Sequence, residues 1–331
     1  MRTQIARAGN PSQIDDAVEA ATYLLSGGYP VALPTETVYG LAAWAMNPDA
    51  VLRIFNVKDR PKFDPLIVHL PDVGWLNGVA KVPVADRPLV DRLVKKFWPG
   101  PLTLVLPKKD IIPDLVTGGL ETVAVRISAH PIFQSVIQAF GQPLAAPSAN
   151  RFGRISPTTA QHVMEELGGK IHLIVDGGPT QYGVESTVIT VREESIWILR
   201  SGPVTAEQLR PFAETVAIAN RSALPNAPGQ LKSHYAPQTP MKFLEPDVRP
   251  FADRTKRMGL LAWCSDDDAR GFHMVEVLSR KGDMREAAAS LFAKLRLLDA
   301  EGLDLIVAEP VPDEGLGAAI NDRLRKAAGN G

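Results

Sequence analysis

The segment that begins at Tyr29 places the tightest constraint on how this chain folds. Residues 29–33 form an apolar run, which predicts a short buried strand, and the run ends at Pro34, whose nitrogen has no hydrogen to donate to a sheet. The polar run Thr35-Glu36-Thr37 follows at once. Two hydroxyls and a carboxylate at the end of a buried strand are a candidate ligand site, although these residues also fit a simple capping role.

Composition bounds the number of domains and excludes several kinds of protein. The 331 residues are long enough for about two domains, and 45% hydrophobic residues can fill a core in each. Lys and Arg total 36 against 37 Asp and Glu, so the net charge of −1 argues against a surface that binds nucleic acid over its whole area. A local basic cleft is still compatible with this balance.

Cysteine usage and the lack of targeting patterns indicate the setting. Cys264 is the only cysteine, which excludes an intramolecular disulfide and a cysteine-based zinc site. The first residues contain no apolar stretch of signal-peptide length, and nowhere do eighteen apolar residues follow one another. We therefore expect a cytoplasmic protein without a membrane role.

A cluster of cations follows a helix that we predict over residues 49–56. Lys58, Arg60 and Lys62 alternate in the loop before the apolar strand 66–70, so in an extended chain their side chains project to one side. Three cations on one side suit a polyphosphate, and Arg can bind two of its oxygens at once. A solvated charged loop is the alternative, which the residues alone favour.

Other apolar runs also end in polar residues. Arg126 closes the strand predicted over 122–127, where a buried cation needs an anion; a structural carboxylate is possible, and we favour a substrate. The run Pro147-Ser148-Ala149-Asn150 leaves room for a ring or a ribose, with an Asx or Ser turn as the alternative. Ser156 is predicted as the N-cap of a helix that continues over 159–167, and as a phosphate contact.

The last third of the chain has a different organisation. Residues 216–240 are proline-rich without a periodic apolar face, which is typical of a linker. Strands predicted at 258–263, 274–278 and 303–308 then alternate with helices at 283–301 and 316–328, which indicates a small open α/β domain. We therefore predict a first domain over 1–215, a linker over 216–240 and an accessory domain over 241–331.

Six motifs in one order carry a family resemblance. They are PTETVYGL (34–41), KDRPKFDPLIVH (58–69), FWPGPLTLVL (97–106), TVAVR (122–126), APSAN (146–150) and GVESTVI (183–189). Together they resemble the YrdC-like family of threonylcarbamoyl-AMP synthases, and LKSHYAP (231–237) with GLGAAINDRLRKAA (315–328) resembles its long, two-domain form. The resemblance implies an α/β protein: a twisted mixed sheet with flanking helices, then a smaller Rossmann-like C-terminal domain.

The same resemblance implies an activity. L-threonine, bicarbonate or CO2, and ATP with Mg²⁺ would give threonylcarbamoyl-adenylate and pyrophosphate, without a metal held by the protein. The product would pass to a separate transferase that completes threonylcarbamoyladenosine in tRNA, so that tRNA is only an indirect partner.

Site residues are also implied by the resemblance. The catalytic candidates are Lys58, Arg60 and Arg126. The ATP site would comprise Lys58, Arg60, Thr122, Ser148, Asn150, Ser156, Arg200 and Tyr235, and the threonine site would comprise Thr35, His69, Arg126, Ala146 and Ser186. Residues 225–237 are expected to fold over the cleft, with Tyr235 at the nucleotide. Without the resemblance, the position of His69 at the end of an apolar strand predicts an ordinary core histidine.

Two other functions compete with this interpretation. A carbamoyl-transfer protein of the hydrogenase-maturation type carries zinc fingers, which a single cysteine cannot form. A non-catalytic RNA-binding module is disfavoured by the near-neutral charge and by an aromatic content of 6%. The sequence contains no P-loop and no dinucleotide-binding glycine motif, so ATP use follows from the resemblance alone.

Overall fold

The computed structural model describes residues 1–219 and 235–329, and the chain divides into two compact units. Within the described residues, the first unit holds 1–152, 157–180 and 185–219, and the second holds 153–156, 181–184 and 235–329. Most of the predicted linker and of the predicted lid over 225–237 lies outside the described residues. The boundary at 240 therefore stays a prediction.

A large mixed sheet organises the first unit. Its strands are β1 Gln4–Arg7, β2 Val31–Leu33, β3 Gly40–Trp44, β4 Ile67–His69, β5 Leu102–Pro107, β6 Thr122–Arg126, β7 Leu144–Ala145, β8 Leu173–Asp176, β9 Thr187–Arg192, β10 Ser195–Arg200 and β11 Val216–Ile218. They lie in the order β1-β8-β2-β3-β7-β4-β6-β5-β9-β10-β11, with parallel and antiparallel neighbours. The predicted mixed sheet with flanking helices is confirmed.

Helices with clear start signals pack on this sheet. They are α1 Pro11–Ser26, α2 Pro48–Lys58, α3 Leu76–Val79, α4 Arg87–Phe97, α5 Asp114–Thr117, α6 Pro131–Phe140, α7 Ala160–Leu167 and α8 Ala206–Leu209. Asn10 caps α1 and Asn47 caps α2, each accepting a main-chain N–H of the first turn, and each is followed by proline. Proline suits the first helical position because the N–H there has no helical partner.

The two faces of the sheet carry different cores. Val68, Leu104 and Val125 belong to the main core, where α2, α4 and α7 pack. Their neighbours along each strand point to the opposite face. There α1 and α6 cover β2, β3, β7 and β8. Further along the same face, over β4, β5, β6 and β9, lies a smaller apolar cluster of Ile67, Val105, Ala124 and Val188.

Three local predictions are wrong. Helix α2 extends to Lys58, so Lys58, Arg60 and Lys62 do not alternate in an extended loop: Lys58 and Arg60 are buried while Lys62 is exposed. The N-cap of α7 is Thr159, which accepts the His162 N–H, rather than Ser156. Residues 216–218 form strand β11 beside β10 rather than the start of a linker.

The second unit is a small open α/β fold. Its strands are β12 Met241–Phe243, β13 Met258–Ala262, β14 Met274–Val277 and β15 Leu305–Ala308, all parallel and ordered β12-β15-β13-β14, with helices α9 Met284–Ala300 and α10 Gly317–Ala327. The three predicted strands and two predicted helices are confirmed, and β12 is a further strand that the sequence analysis did not predict. The segments 153–156 and 181–184 join it: the Ala236 N–H donates to Gly153 O at 2.8 Å, and Gly183 lies so close to α9 that a Cβ would be 2.4 Å from Ala288 O.

Across residues 1–219 and 235–329, none of the helices combines the length and the apolar character that crossing a membrane requires.

Candidate active site

One face of the large sheet gathers several of the predicted site residues. Arg126 ends β6 and is the register partner of His69 in β4, so both side chains point to the same face. Thr103 of β5 lies beside Arg126, because the next pair in that register is Leu104 with Val125. Thr103 pairs with Val188 of β9, which pairs with Arg200 of β10. A row of mostly polar side chains thus crosses the sheet beside the small apolar cluster, and Val188 belongs to both.

Arg126 is held by a structural carboxylate. Its side chain is 3% exposed, its Nη2 donates to Glu36 Oε1 at 2.5 Å and its Nη1 donates to the Thr37 hydroxyl at 3.2 Å. The other oxygen of Glu36 accepts from the Ser128 hydroxyl at 2.5 Å. The Nε atom of Arg126 is buried and has no hydrogen-bond partner among the described residues. The cation is therefore fixed in place while one of its donors is unused.

The protonation of this cluster follows from its burial and its charges. Burial alone would raise the pKa of Glu36, but the Arg126 guanidinium, the Ser128 hydroxyl and nearby main-chain N–H groups hold the pKa below its ordinary value. Burial, and then the positive charge of Arg126, lower the pKa of His69 well below its ordinary value. Near neutral pH Glu36 is thus ionised while His69 is neutral. The His69 ring lies 4.6 Å from the Phe133 ring, and its Nδ1 is buried without a partner in the described residues.

Ser186 and Arg200 form a second bonded cluster in the same row. The hydroxyls of Ser186 and Thr103 are 2.8 Å apart. Arg200 donates to Ser186 O from Nε at 3.1 Å and from Nη2 at 2.9 Å, and Nη2 also reaches the Ser186 hydroxyl at 3.1 Å. Arg200 is 6% exposed and Ser186 is fully buried, so Arg200 orients the serine. The structure brings these two predicted residues together.

The Thr35 hydroxyl is engaged in its own turn. It accepts from the N–H groups of Thr37 at 3.1 Å and Val38 at 3.2 Å, and it donates to Val38 O at 2.6 Å. This is the local role that the sequence left open as an alternative. The turn positions Glu36 and Thr37, which in turn hold Arg126. The assignment of Thr35 to the threonine site stays a prediction.

Lys58 is buried against the segment predicted to bind the nucleoside. Its Nζ donates to Ser148 O at 2.6 Å and to Asn150 O at 2.5 Å, and the side chain is 1% exposed. Burial, and then the like charge of Arg60, lower its pKa well below the ordinary value. The Asn150 amide donates to Arg151 O at 2.8 Å. The structure thus joins Lys58, Ser148 and Asn150 at one place.

Arg60 is bonded inside its own loop. Its Nη2 lies 2.8 Å from Asp64 Oδ2 and donates to Pro65 O at 2.9 Å, and its guanidinium lies 5.9 Å from the Phe152 ring centre. Only 9% of the residue is exposed. The position of this cation is therefore fixed by protein groups, as it is for Arg126 and Arg200.

The remaining predicted residues lie further from the row. Ala146 directly follows β7 and lies on the same face, and its N–H donates to Ile67 O at 2.9 Å. Thr122 also lies on the face of Arg126, but at the opposite end of β6. Four residues along a strand span about 13 Å. Ser156 is fully buried in the second unit. Tyr235 also belongs to that unit, where its ring stacks 5.5 Å from the Phe292 ring and lies under Arg323 at 5.4 Å.

The sequence analysis missed three residues that border the site. Ser128 binds Glu36, and its hydroxyl also accepts the His130 N–H at 3.2 Å. The Tyr39 hydroxyl donates to Gly178 O at 2.7 Å. Burial lowers the pKa of His130, and burial, with the nearby Asp176 carboxylate, raises the pKa of Tyr39.

The glycine pair that begins at Gly177 is a sequence signal that could have indicated the role of Tyr39. The main-chain N–H of Gly177 donates to the Tyr39 hydroxyl at 3.2 Å, and an added Cβ there would lie 2.8 Å from both Pro34 Cγ and Ile132 Cδ1. A glycine pair directly after an apolar strand is typical of such a close approach.

The described part of the chain offers no cluster of three or more His, Cys, Asp or Glu side chains placed to hold a metal ion. The carboxylates of the site are instead paired with cations, Glu36 with Arg126 and Asp64 with Arg60. This donor set fits anionic ligands better than a metal held by side chains alone.

Comparisons with known proteins agree with this architecture. A family profile described as telomere recombination, Sua5/YciO/YrdC, matches residues 23–202, and one described as the threonylcarbamoyl-AMP synthase C-terminal domain matches residues 204–329. A threonylcarbamoyl-AMP synthase of Bacillus subtilis is 40% identical over 95% of this chain and 94% of its own length. One from Pyrococcus abyssi is 40% identical over 94% of each.

A solved structure extends the likeness to the whole fold. The crystal structure of P. abyssi Sua5 complexed with L-threonine has a TM-score of 0.87 and 39% identity, covering 100% of this chain and 98% of that one. With both domains matched in sequence and the complete chain matched in structure, this protein belongs to the Sua5/YciO/YrdC family of threonylcarbamoyl-AMP synthases, in its long two-domain form.

Proposed function

We propose that this protein joins L-threonine, bicarbonate or CO2, and ATP into threonylcarbamoyl-AMP, releasing pyrophosphate. The names of its relatives, at 40% identity over nearly the whole chain, support a synthase of this product. The threonine complex of a relative with the same fold supports threonine as a substrate. The product would then be consumed by a separate transferase that modifies tRNA.

The observation that carries the proposal is the fixed guanidinium of Arg126. Glu36 and Thr37 hold it in the polar row, and its buried Nε still lacks an acceptor within the described residues. A buried donor without an acceptor costs about 1–3 kcal/mol, so an anionic group that reaches it is favoured. The carboxylate of threonine is such a group, with neutral His69 and Ser186 in the same row.

The nucleotide would lie along the same face of the sheet. Ser148 and Asn150 suit the nucleoside, while Arg60 and Arg200 are fixed cations for phosphate oxygens. Mg²⁺ would be held mainly by the triphosphate itself, since magnesium is commonly bound through substrate phosphates. There it would neutralise phosphate charge.

The chemistry then needs alignment more than a strong acid or base. The threonine amine adds to CO2 and loses a proton, giving a carbamate, and a carbamate oxygen attacks the α-phosphorus while pyrophosphate leaves. The protein would bind the two reactants in line and stabilise the negative charge on the oxygens of the α-phosphate and of the leaving pyrophosphate. A pre-fixed set of cations performs both tasks.

The test is pyrophosphate release measured with each substrate omitted in turn. Release should require ATP, threonine and bicarbonate together, and mass spectrometry should find threonylcarbamoyl-AMP in equal amount. Release that continues without threonine or without bicarbonate would contradict the proposal. Serine in place of threonine should react more slowly by about ten- to two-hundredfold, because a single methyl group contributes only about 1–3 kcal/mol.

A further inference from the structure

Lys58 does not have the surroundings of a simple phosphate ligand. Its side chain is 1% exposed, and its Nζ is bonded to the main-chain oxygens of Ser148 and Asn150 at 2.6 and 2.5 Å. These contacts join residues that are 90 and 92 positions apart in the chain. An ammonium group has three donors, so one at most is left for a ligand.

We propose that Lys58 is a positioning residue that fastens the segment Ser148–Asn150 to the end of helix α2, and so shapes the place where the nucleoside binds. This inference rests on the proposed function for the identity of the ligand. The contacts themselves do not depend on it. In this role the lysine acts on the substrate mainly through the main chain of residues 148–150.

A second set of contacts points to the same role. The Phe152 N–H donates to Lys58 O at 2.8 Å, so the main chain of Lys58 also binds the residues that directly follow this segment. The Ala149 N–H donates to Tyr39 O at 2.8 Å, which ties the other side of the segment to the turn after β2. The segment is therefore held between α2 and that turn.

Replacing Lys58 by methionine would keep the shape of the stem and remove its donors. The oxygens of Ser148 and Asn150 would lose the donor they share, inside a region where Ala149 and Asn150 are at most 1% exposed. Buried acceptors that lose a donor turn toward water or toward another donor. The side chains of Ser148 and Asn150 would move with their main chain.

Lys58 could position the nucleoside site or bind phosphate. These two roles predict opposite effects of its substitution on the binding of adenosine and of tripolyphosphate. A positioning lysine matters for adenosine, which has no phosphate. A phosphate ligand matters for tripolyphosphate, which has no nucleoside. We would measure both affinities by calorimetry on the full chain for the wild type, Lys58→Met and Lys62→Met, since Lys62 is an exposed cation of the same loop.

We expect Lys58→Met to weaken adenosine binding at least about tenfold, and tripolyphosphate binding by less, with Lys62→Met like the wild type in both. Lys58→Gln, whose amide keeps two donors without charge, should recover part of the adenosine affinity. Unchanged adenosine affinity with lost tripolyphosphate affinity in Lys58→Met would overturn the proposal.

Hydrogen exchange tests the same inference without any ligand. The amides of Ala149 and Phe152 should exchange at least about tenfold faster in Lys58→Met than in the wild type or Lys62→Met. Equal exchange in all three proteins would contradict the positioning role. If the wild type binds neither adenosine nor tripolyphosphate, hydrogen exchange alone decides the role of Lys58, and the proposed function is judged separately by pyrophosphate release. If Lys58→Met does not fold, the comparison is made with Lys58→Gln.

Discussion

The two units bury their charged residues in different ways. In the first unit, Arg126 pairs with Glu36 across 90 positions of sequence, and Lys58 bonds to main-chain oxygens 90 and 92 positions away. Arg60, which pairs with Asp64 of its own loop, is the local exception there. In the second unit, Arg323 and Lys326 both pair with Asp322 of the same helix. Pairs within one helix can be structural, whereas distant cations collected on one sheet face indicate a ligand site. We therefore expect the ligand site in the first unit.

Removing Glu36 should have the largest effect on stability. Glu36→Gln leaves Arg126 buried without its counter-ion, which should lower the free energy of unfolding by about 3–5 kcal/mol. Asp322→Asn should cost less, because its side chain is 31% exposed and water can replace the lost charge. Urea denaturation of both variants measures the difference. Equal losses would remove the contrast between the two units.

Tyr235 tests the contrast from the other side. It is 1% exposed and stacks on Phe292 within the second unit, so Tyr235→Ala should lower the free energy of unfolding by about 3 kcal/mol while Tyr235→Phe costs much less. Denaturation followed by fluorescence measures the packing role. The amount of threonylcarbamoyl-AMP formed per ATP consumed measures a contact with the nucleotide. Normal stability with poor coupling of ATP use to product would favour the contact predicted from the sequence.

Arg126→Lys should weaken threonine binding by about thirtyfold, or about 2 kcal/mol, because lysine keeps the charge beside Glu36 but loses the planar fork and Nε. Calorimetry with threonine measures this. Arg323→Met, in the second unit, is the matched control: it should lower stability and leave threonine affinity unchanged. If instead the control weakens threonine binding and Arg126→Lys does not, the site is misplaced.

The smallest effect should be the pH dependence due to His69. Its pKa is lowered in the folded protein, so the unfolded chain binds the proton more tightly, and stability is complete above the unfolded pKa of about 6.5 and falls as the pH drops below it. The loss reaches at most about 1.4 kcal/mol per pH unit for one histidine. We would measure the free energy of unfolding between pH 7.5 and 5.5. It should fall less steeply in His69→Gln than in the control variant His172→Gln, which removes a histidine next to β8.

Much of the first unit could be predicted because its signals are local. The apolar runs that end at Pro34, Arg126 and Asn150 identified strands and the polar residues that end or follow them, and Glu36 after the first run does meet Arg126 at the end of the second. The partners of those residues could not be predicted. Nothing near Lys58 in sequence indicates that its ammonium meets main-chain oxygens of residues 148 and 150.

The unit boundaries show the same limit. Segments 153–156 and 181–184 lie between elements of the large sheet in sequence, yet they pack in the second unit. The packing of these segments in the second unit depends on tertiary contacts, such as that of Gly183 with α9. The periodicity of the sequence does not predict such contacts. Strand β11 was missed for a related reason, since three residues are too few to show a period.

The alternation along β6 has a consequence for how this protein can diverge. Thr122, Ala124 and Arg126 face one way while Val123 and Val125 fill the main core, and both neighbouring strands fix that register. Inserting one residue would turn Arg126 into the core, whereas inserting two would restore its direction. An insertion of two residues would still move Arg126 along the strand by about 7 Å, away from Glu36, so β6 can change by substitution more readily than in length. In this strand, the alternation of side chains constrains sequence change more than the identity of any one apolar residue does.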